Sequence, residues 1–116
     1  LPVARFVAAH NANRGFADYV AGGPPPSAPT VATLSNAMDV GRPSNFERLA
    51  HLFPGRALPA RVGGHAVTDD ETLATMRDVY AATGYVACPH TAVGLAAARR
   101  DREATGDAPH VVLATA

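Results

Sequence analysis

No side chain of this protein can form a Schiff base, because all ten basic residues are arginine and no lysine supplies an amine or a lysine base. Five histidines, His10, His51, His65, His90 and His110, raise the question of a metal. No two are four apart or at finger spacing, and the single cysteine, Cys88, has no second thiol to work with, so the ligand patterns of zinc sites do not arise. Cys88 and His90 pair a nucleophile with a base, but residues two apart on a strand-to-helix turn diverge, and Cys88 reads as a small buried thiol. Gly22-Gly23 and Gly63-Gly64 lack the strand-to-helix placement of a phosphate loop and read as turns. The densest chemistry lies in Thr33 to Val40. There Thr33, Ser35, Asn36 and Asp39 alternate with Leu34, Ala37, Met38 and Val40, a mixture suited to a loop that lines a cleft.

The elements that must position these groups are modest. The chain has 116 residues, enough for one domain, 1–116, and no second core. Of its hydrophobic residues 25 are alanine, and Leu, Val and Phe together number 24, with no Ile, so the core is thin. Ten acidic residues balance the ten arginines, which argues against a nucleic-acid or anionic-membrane partner. No apolar run approaches the ~20 residues of a membrane span, there is no signal-peptide layout, and a lone cysteine suits a reducing compartment, so a cytoplasmic setting is expected. The opening on Leu1 and the close on the apolar run VVLATA lead us to expect a piece of a longer polypeptide.

Leu1 to Ala9 is β-prone, with Val3, Phe6 and Val7 too apolar to leave in water, and predicts a buried strand that Arg5 interrupts. Gly15 to Val20 predicts a short helix, and the Gly/Pro-rich residues 22–29 an exposed connector. Two capping boxes, Ser44 with Glu47 and Thr68 with Glu71, predict helices to about Phe53 and about Thr83, the second with an apolar stripe of Leu73, Met76, Val79 and Tyr80 and a Gly84 cap. Tyr85 to Cys88 predicts a strand. Pro89 to about Ala104 predicts a helix of small residues whose charged run, Arg99 to Glu103, emerges into water. Val111 to Ala114 predicts a final strand covered on both faces. Strands alternating with helices imply α/β architecture with crossover connections.

The stretch TLSNAMDVGRPSNFERL (33–49) resembles the signature region of bacterial and fungal threonine synthases. RFVAAHNAN (5–13), DDETLATMRDVYAATGY (69–85), PHTAVGLAAA (89–98) and VVLATA (111–116) resemble further stretches of that family in the same order. The resemblance thus spans nearly the whole chain but only the C-terminal region of the family. It implies part of the cofactor domain of a pyridoxal 5'-phosphate enzyme of fold type II, a partial three-layer sandwich of mostly parallel strands with helices packed on them. The reaction it implies is a lyase step of threonine biosynthesis, from O-phospho-L-homoserine and water to L-threonine and phosphate. The family's Schiff-base lysine and cofactor-phosphate loop lie upstream of the matching region, so the remainder of the same polypeptide is the implied partner and the chain alone is expected to be inactive.

On that resemblance Thr115 matches the threonine that hydrogen-bonds the pyridine nitrogen, and Ser35, Asn36, Asp39, Asn11 and Asn13 become substrate-side candidates. Arg48 could face a phosphate but reads as an exposed helical arginine. Two other classes stay open: a noncatalytic module binding a phosphorylated metabolite or a partner protein, and another fold type II lyase or dehydratase.

Overall fold

In the computed structural model the chain is described over residues 2–114. Two strands, β1 (Phe6–His10) and β2 (Val62–Ala66), pair in parallel, with Phe6 opposite Val62 and His10 opposite Ala66. Between them run α1 (Gly15–Val20), a 3-10 turn at Asn36–Met38, α2 (Asn45–Leu52) and a second 3-10 turn at Pro54–Arg56. Two longer helices follow, α3 (Asp69–Thr83) and α4 (Pro89–Thr105).

The strand at 62–66 overturns the turn expected at Gly63-Gly64. Strand alternation aims the two glycines at opposite faces of the sheet. A Cβ on Gly64 would stand 2.8 Å from Ala17 Cα, so α1 lies against one face, and a Cβ on Gly63 would collide with the Arg5 guanidinium on the other. The glycines are there for close approach. α4 covers the Arg5 face, where Val67, Val93 and Ala97 form the buried core and Ala9, Ala96 and Met38 pack around it. The order α1, sheet, α4 is a small α/β three-layer stack, as expected from the sequence, and α3 packs on α4.

Local signals succeeded where the chain answers to its own neighbours. Thr68 and Glu71 complete a reciprocal capping box and Gly84 closes α3 in the left-handed conformation at φ 73°. Ser44 differs: its backbone is already helical (φ −61°, ψ −32°), so it sits within the first turn and its hydroxyl makes no cap. The α3 stripe also differs, since Thr72 and Thr75 are buried while Tyr80 is exposed. Small side chains let α3 approach the alanine-rich α4, and Thr72 satisfies its hydroxyl by donating to the Thr68 carbonyl at 2.8 Å.

Neither 85–88 nor 111–114 forms a strand, because a strand exists only with a ladder partner and none of the described residues pairs with them. Residues 110–113 nevertheless alternate, with His110 and Val112 turned inward and Val111 and Leu113 exposed. Val112 lies over Gly94, where a Cβ would come within 2.9 Å of its Cγ1. At the other end, the expected burial of Val3 and Phe6 fails: Phe6 is half exposed beneath Arg61, whose guanidinium carbon is 5.7 Å from the ring centroid.

Asp101 departs furthest from the solvent-facing run expected at 99–103, being 3% exposed. Its carboxylate accepts from Arg5 Nε at 3.0 Å and faces His65 Nε2 at 3.4 Å and His110 Nε2 at 3.3 Å. Burial works against its ionisation, but His110, Arg5 and His65 outweigh burial and hold the carboxyl below its ordinary value. A depressed carboxyl stabilises the fold above its unfolded value and stops doing so as pH falls through the folded one. Asp101→Asn is therefore expected to remove about 1–3 kcal/mol at neutral pH, read as lost hydrogen-exchange protection over residues 97–105. Variant and parent should converge in acid. Equal protection at neutral pH would remove Asp101 from this role.

Val86, Val111 and Leu113 are 74%, 89% and 79% exposed. Such apolar surface favours association of the isolated chain. Sedimentation should show mass rising with concentration, and a monomer with a sharp cooperative melt would contradict this.

Candidate functional site

Ligands of parallel α/β sheets bind beyond the carboxyl ends of the strands, and in this chain the polar residues gather at that edge. β1 ends at His10 and Asn11 follows, 1% exposed. The Asn11 amide nitrogen lies 2.8 Å from Thr33 Oγ1, 3.0 Å from Ser35 Oγ and 2.8 Å from Asp39 Oδ1. Its oxygen accepts from the Asn13 backbone at 2.9 Å and from the Asn13 side chain at 3.0 Å. Asn13 in turn clasps the Val31 backbone, donating to its carbonyl and accepting from its N–H, both at 2.8 Å.

Asp39 closes the loop. Thr33 donates to it twice, from the backbone at 2.9 Å and from the hydroxyl at 2.7 Å. The Thr33 backbone bond is the largest influence on the Asp39 carboxyl and, helped by the Thr33 hydroxyl, Asn11 and His90 against the opposing effect of burial, keeps it below its ordinary value. An anion held this way is an acceptor, not a proton donor, at neutral pH.

Both long helices reach this loop with their N-termini. Asp69, at the start of α3, accepts from the Leu34 N–H at 3.2 Å, and His90, in the first turn of α4, accepts from the Ala37 N–H through Nε2 at 3.1 Å. His90 Nδ1 faces Cys88 Sγ at 3.8 Å. The structure thus brings together Asn11, Asn13, Ser35 and Asp39 from the sequence candidates and engages each in hydrogen bonds within the chain. Asn36 is different. It is exposed on the 3-10 turn, and among the described residues its side chain has no partner. Arg48 is exposed on α2, and Thr115 lies outside the described residues.

Sequence reasoning placed Thr33 in the loop but missed Asp69 and His90 as members of this assembly. Thr33 stood inside the signature stretch and Asp69 inside a capping box, but the Ala37–His90 pairing spans 53 positions and has no local signal. His65 and His110 meet at Asp101, but among the described residues no group of three His, Cys, Asp or Glu side chains could hold a metal. His10 instead packs at a tilt beside Phe16, ring centroids 5.9 Å apart, with Nε2 buried and among the described residues unpartnered, and burial lowers its basicity despite nearby Asp18.

No protein-family model matches the chain. Threonine synthase of Serratia marcescens is 44% identical over 100 residues, which is 85% of this chain and 23% of the relative. The crystal structure of Escherichia coli threonine synthase superposes with TM-score 0.74 at 42% identity, covering 86% of this chain and 23% of that one. The structure of PLP-bound threonine synthase from Brucella melitensis superposes over the whole chain and 30% of its own length, with TM-score 0.86 at 30% identity. This chain is related to one region of the threonine synthases. It spans about a quarter of the length of the curated relatives it matches. Among the described residues no helix is long and apolar enough to cross a membrane.

Cys88 sits half-buried as the N-cap of α4 rather than within a strand, its sulfur accepting from the Thr91 N–H at 3.4 Å. The Thr91 hydroxyl first, then the Thr91 amide, lower the thiol against the effect of burial, and His90 adds to them, bringing it to about 7. Alkylation by iodoacetamide should therefore rise through a midpoint near neutrality, and Thr91→Val should move that midpoint upward. A rate that climbs only above about pH 8.5, as for an ordinary thiol, would contradict the lowered value.

Proposed function

We propose that this chain is the C-terminal part of a pyridoxal-phosphate enzyme that converts O-phospho-L-homoserine and water to L-threonine and inorganic phosphate. The observation that carries the reading is the loop 33–39. It holds the stretch by which the chain resembles the family, and its polar groups are assembled just beyond the carboxyl end of β1.

The donor set fits one part of the cofactor's needs. A hydroxyl at Thr115 suits the pyridine nitrogen, since a neutral partner does not enforce a protonated ring, while the chain has no side-chain amine for the aldehyde. Pyridoxal phosphate, when bound, supplies an electron sink for bond changes at the substrate's carbon chain. The residues of this chain shape the wall around it. Asn11, Asn13, Ser35 and Asp39 support the loop from within, and Asn36 offers a free amide to the substrate. The remainder of the same polypeptide supplies the lysine and the phosphate loop.

The complete polypeptide loaded with pyridoxal phosphate should release equimolar phosphate and threonine from phosphohomoserine, while the purified 116-residue chain releases neither. Turnover by the chain alone would overturn the division of labour. A keto acid as the product would move the protein to another lyase reaction of the same fold, and tight binding without turnover would favour a noncatalytic module.

A further inference from the structure

His90 belongs to α4 yet bonds to the 3-10 turn 53 positions away. Its Nε2 accepts the Ala37 N–H at 3.1 Å, so that nitrogen carries no proton. The ring proton then resides on Nδ1, which faces Cys88 Sγ at 3.8 Å, and the sulfur is held by Thr91 at the helix cap. Tautomer and ring orientation are thereby set by the first turn of α4.

Ala37 is the middle residue of the turn Asn36–Met38. The turn is tied down on each side: Asp39 is bound by Thr33 and Asn11, Ser35 by Asn11, and Met38 packs on the core of Val67, Val93 and Ala97. At its centre the His90 bond to Ala37 adds a hydrogen-bonded tie to α4 beside the apolar contact of Met38. Asn36 precedes that tie directly and is exposed.

We propose that His90 is a positioning residue which, by accepting the Ala37 N–H, sets the direction in which Asn36 meets the substrate. The proposal deepens the threonine-synthase reading and rests on it for the identity of the substrate. It assigns His90 no proton transfer and no contact with the reacting atoms. Its effect should fall on substrate binding, in KM, more than on kcat.

Two amide substitutions separate the ring nitrogens. His90→Gln can place its oxygen near the position of Nε2 and keep the bond to Ala37. His90→Asn places polar atoms near Nδ1 only and leaves Ala37 without an acceptor. In the complete polypeptide loaded with pyridoxal phosphate, His90→Asn should speed hydrogen exchange at the Ala37 amide about tenfold or more. It should also raise KM for phosphohomoserine by a similar factor, with a smaller change in kcat. His90→Gln should restore both toward the parent. Unchanged exchange at Ala37 in His90→Asn overturns the proposal, and so does faster exchange with KM unmoved. Absence of turnover in the parent protein would sink the functional reading instead, and the exchange arm would still decide whether His90 holds the turn.

Discussion

The carboxylate of Asp39 is the constraint from which the arrangement at the strand ends follows. A loop that leaves a sheet must satisfy its own backbone and polar side chains or pay for burying them. Here one anion receives the Thr33 N–H, the Thr33 hydroxyl and the Asn11 amide, while Asn11 itself is almost fully buried. Each partner fixes another: Asn11 orders Asn13, and Asn13 clasps Val31. The result is a polar wall with little freedom, placed where parallel sheets take their ligands.

Behind that wall, close approach does what bulk cannot. Few large apolar side chains are available, so the layers meet through Gly63, Gly64, Gly94 and the alanines of α4, and α3 adds Thr72 and Thr75. Close packing of small groups preserves dispersion contacts that a thin core would otherwise lose. Asp101 adds a polar tie at the opposite end of α4, gathering Arg5 from ahead of β1, His65 from β2 and His110 from the terminal segment. The two ends of α4 therefore carry different duties, His90 toward the loop and Asp101 toward Arg5, His65 and His110.

A segment without a side-chain amine thus commits its polar groups at the strand ends to holding a loop. Covalent attachment needs one lysine, whereas orientation of a substrate needs several groups held still. The relation to threonine synthases covers about a quarter of their length, and within that quarter the polar residues at the strand ends bond to one another and to the helix starts.

Signals that operate within a few residues were readable from the amino acids alone. The Thr68–Glu71 box, the Gly84 cap, the span of α1, the start of α4 at Pro89 and the absence of any lysine follow from local stereochemistry and composition. The resemblance carried in TLSNAMDV pointed to the loop that Asp39 closes. Partners distant along the chain were not readable. Gly63 and Gly64 looked like a turn because the close neighbours that demand glycine, Arg5 and Ala17, are far away in sequence. Asp101 looked solvated because its cations come from residues 5, 65 and 110. Val111 to Ala114 looked like a strand because a continuous apolar run suits one covered on both faces, whereas only a hydrogen-bonded neighbour makes it one. Residue types and near spacing thus determined which elements this protein can form, and the tertiary structure decided which of them pair and which polar groups are left free, since those depend on contacts that no local stretch contains.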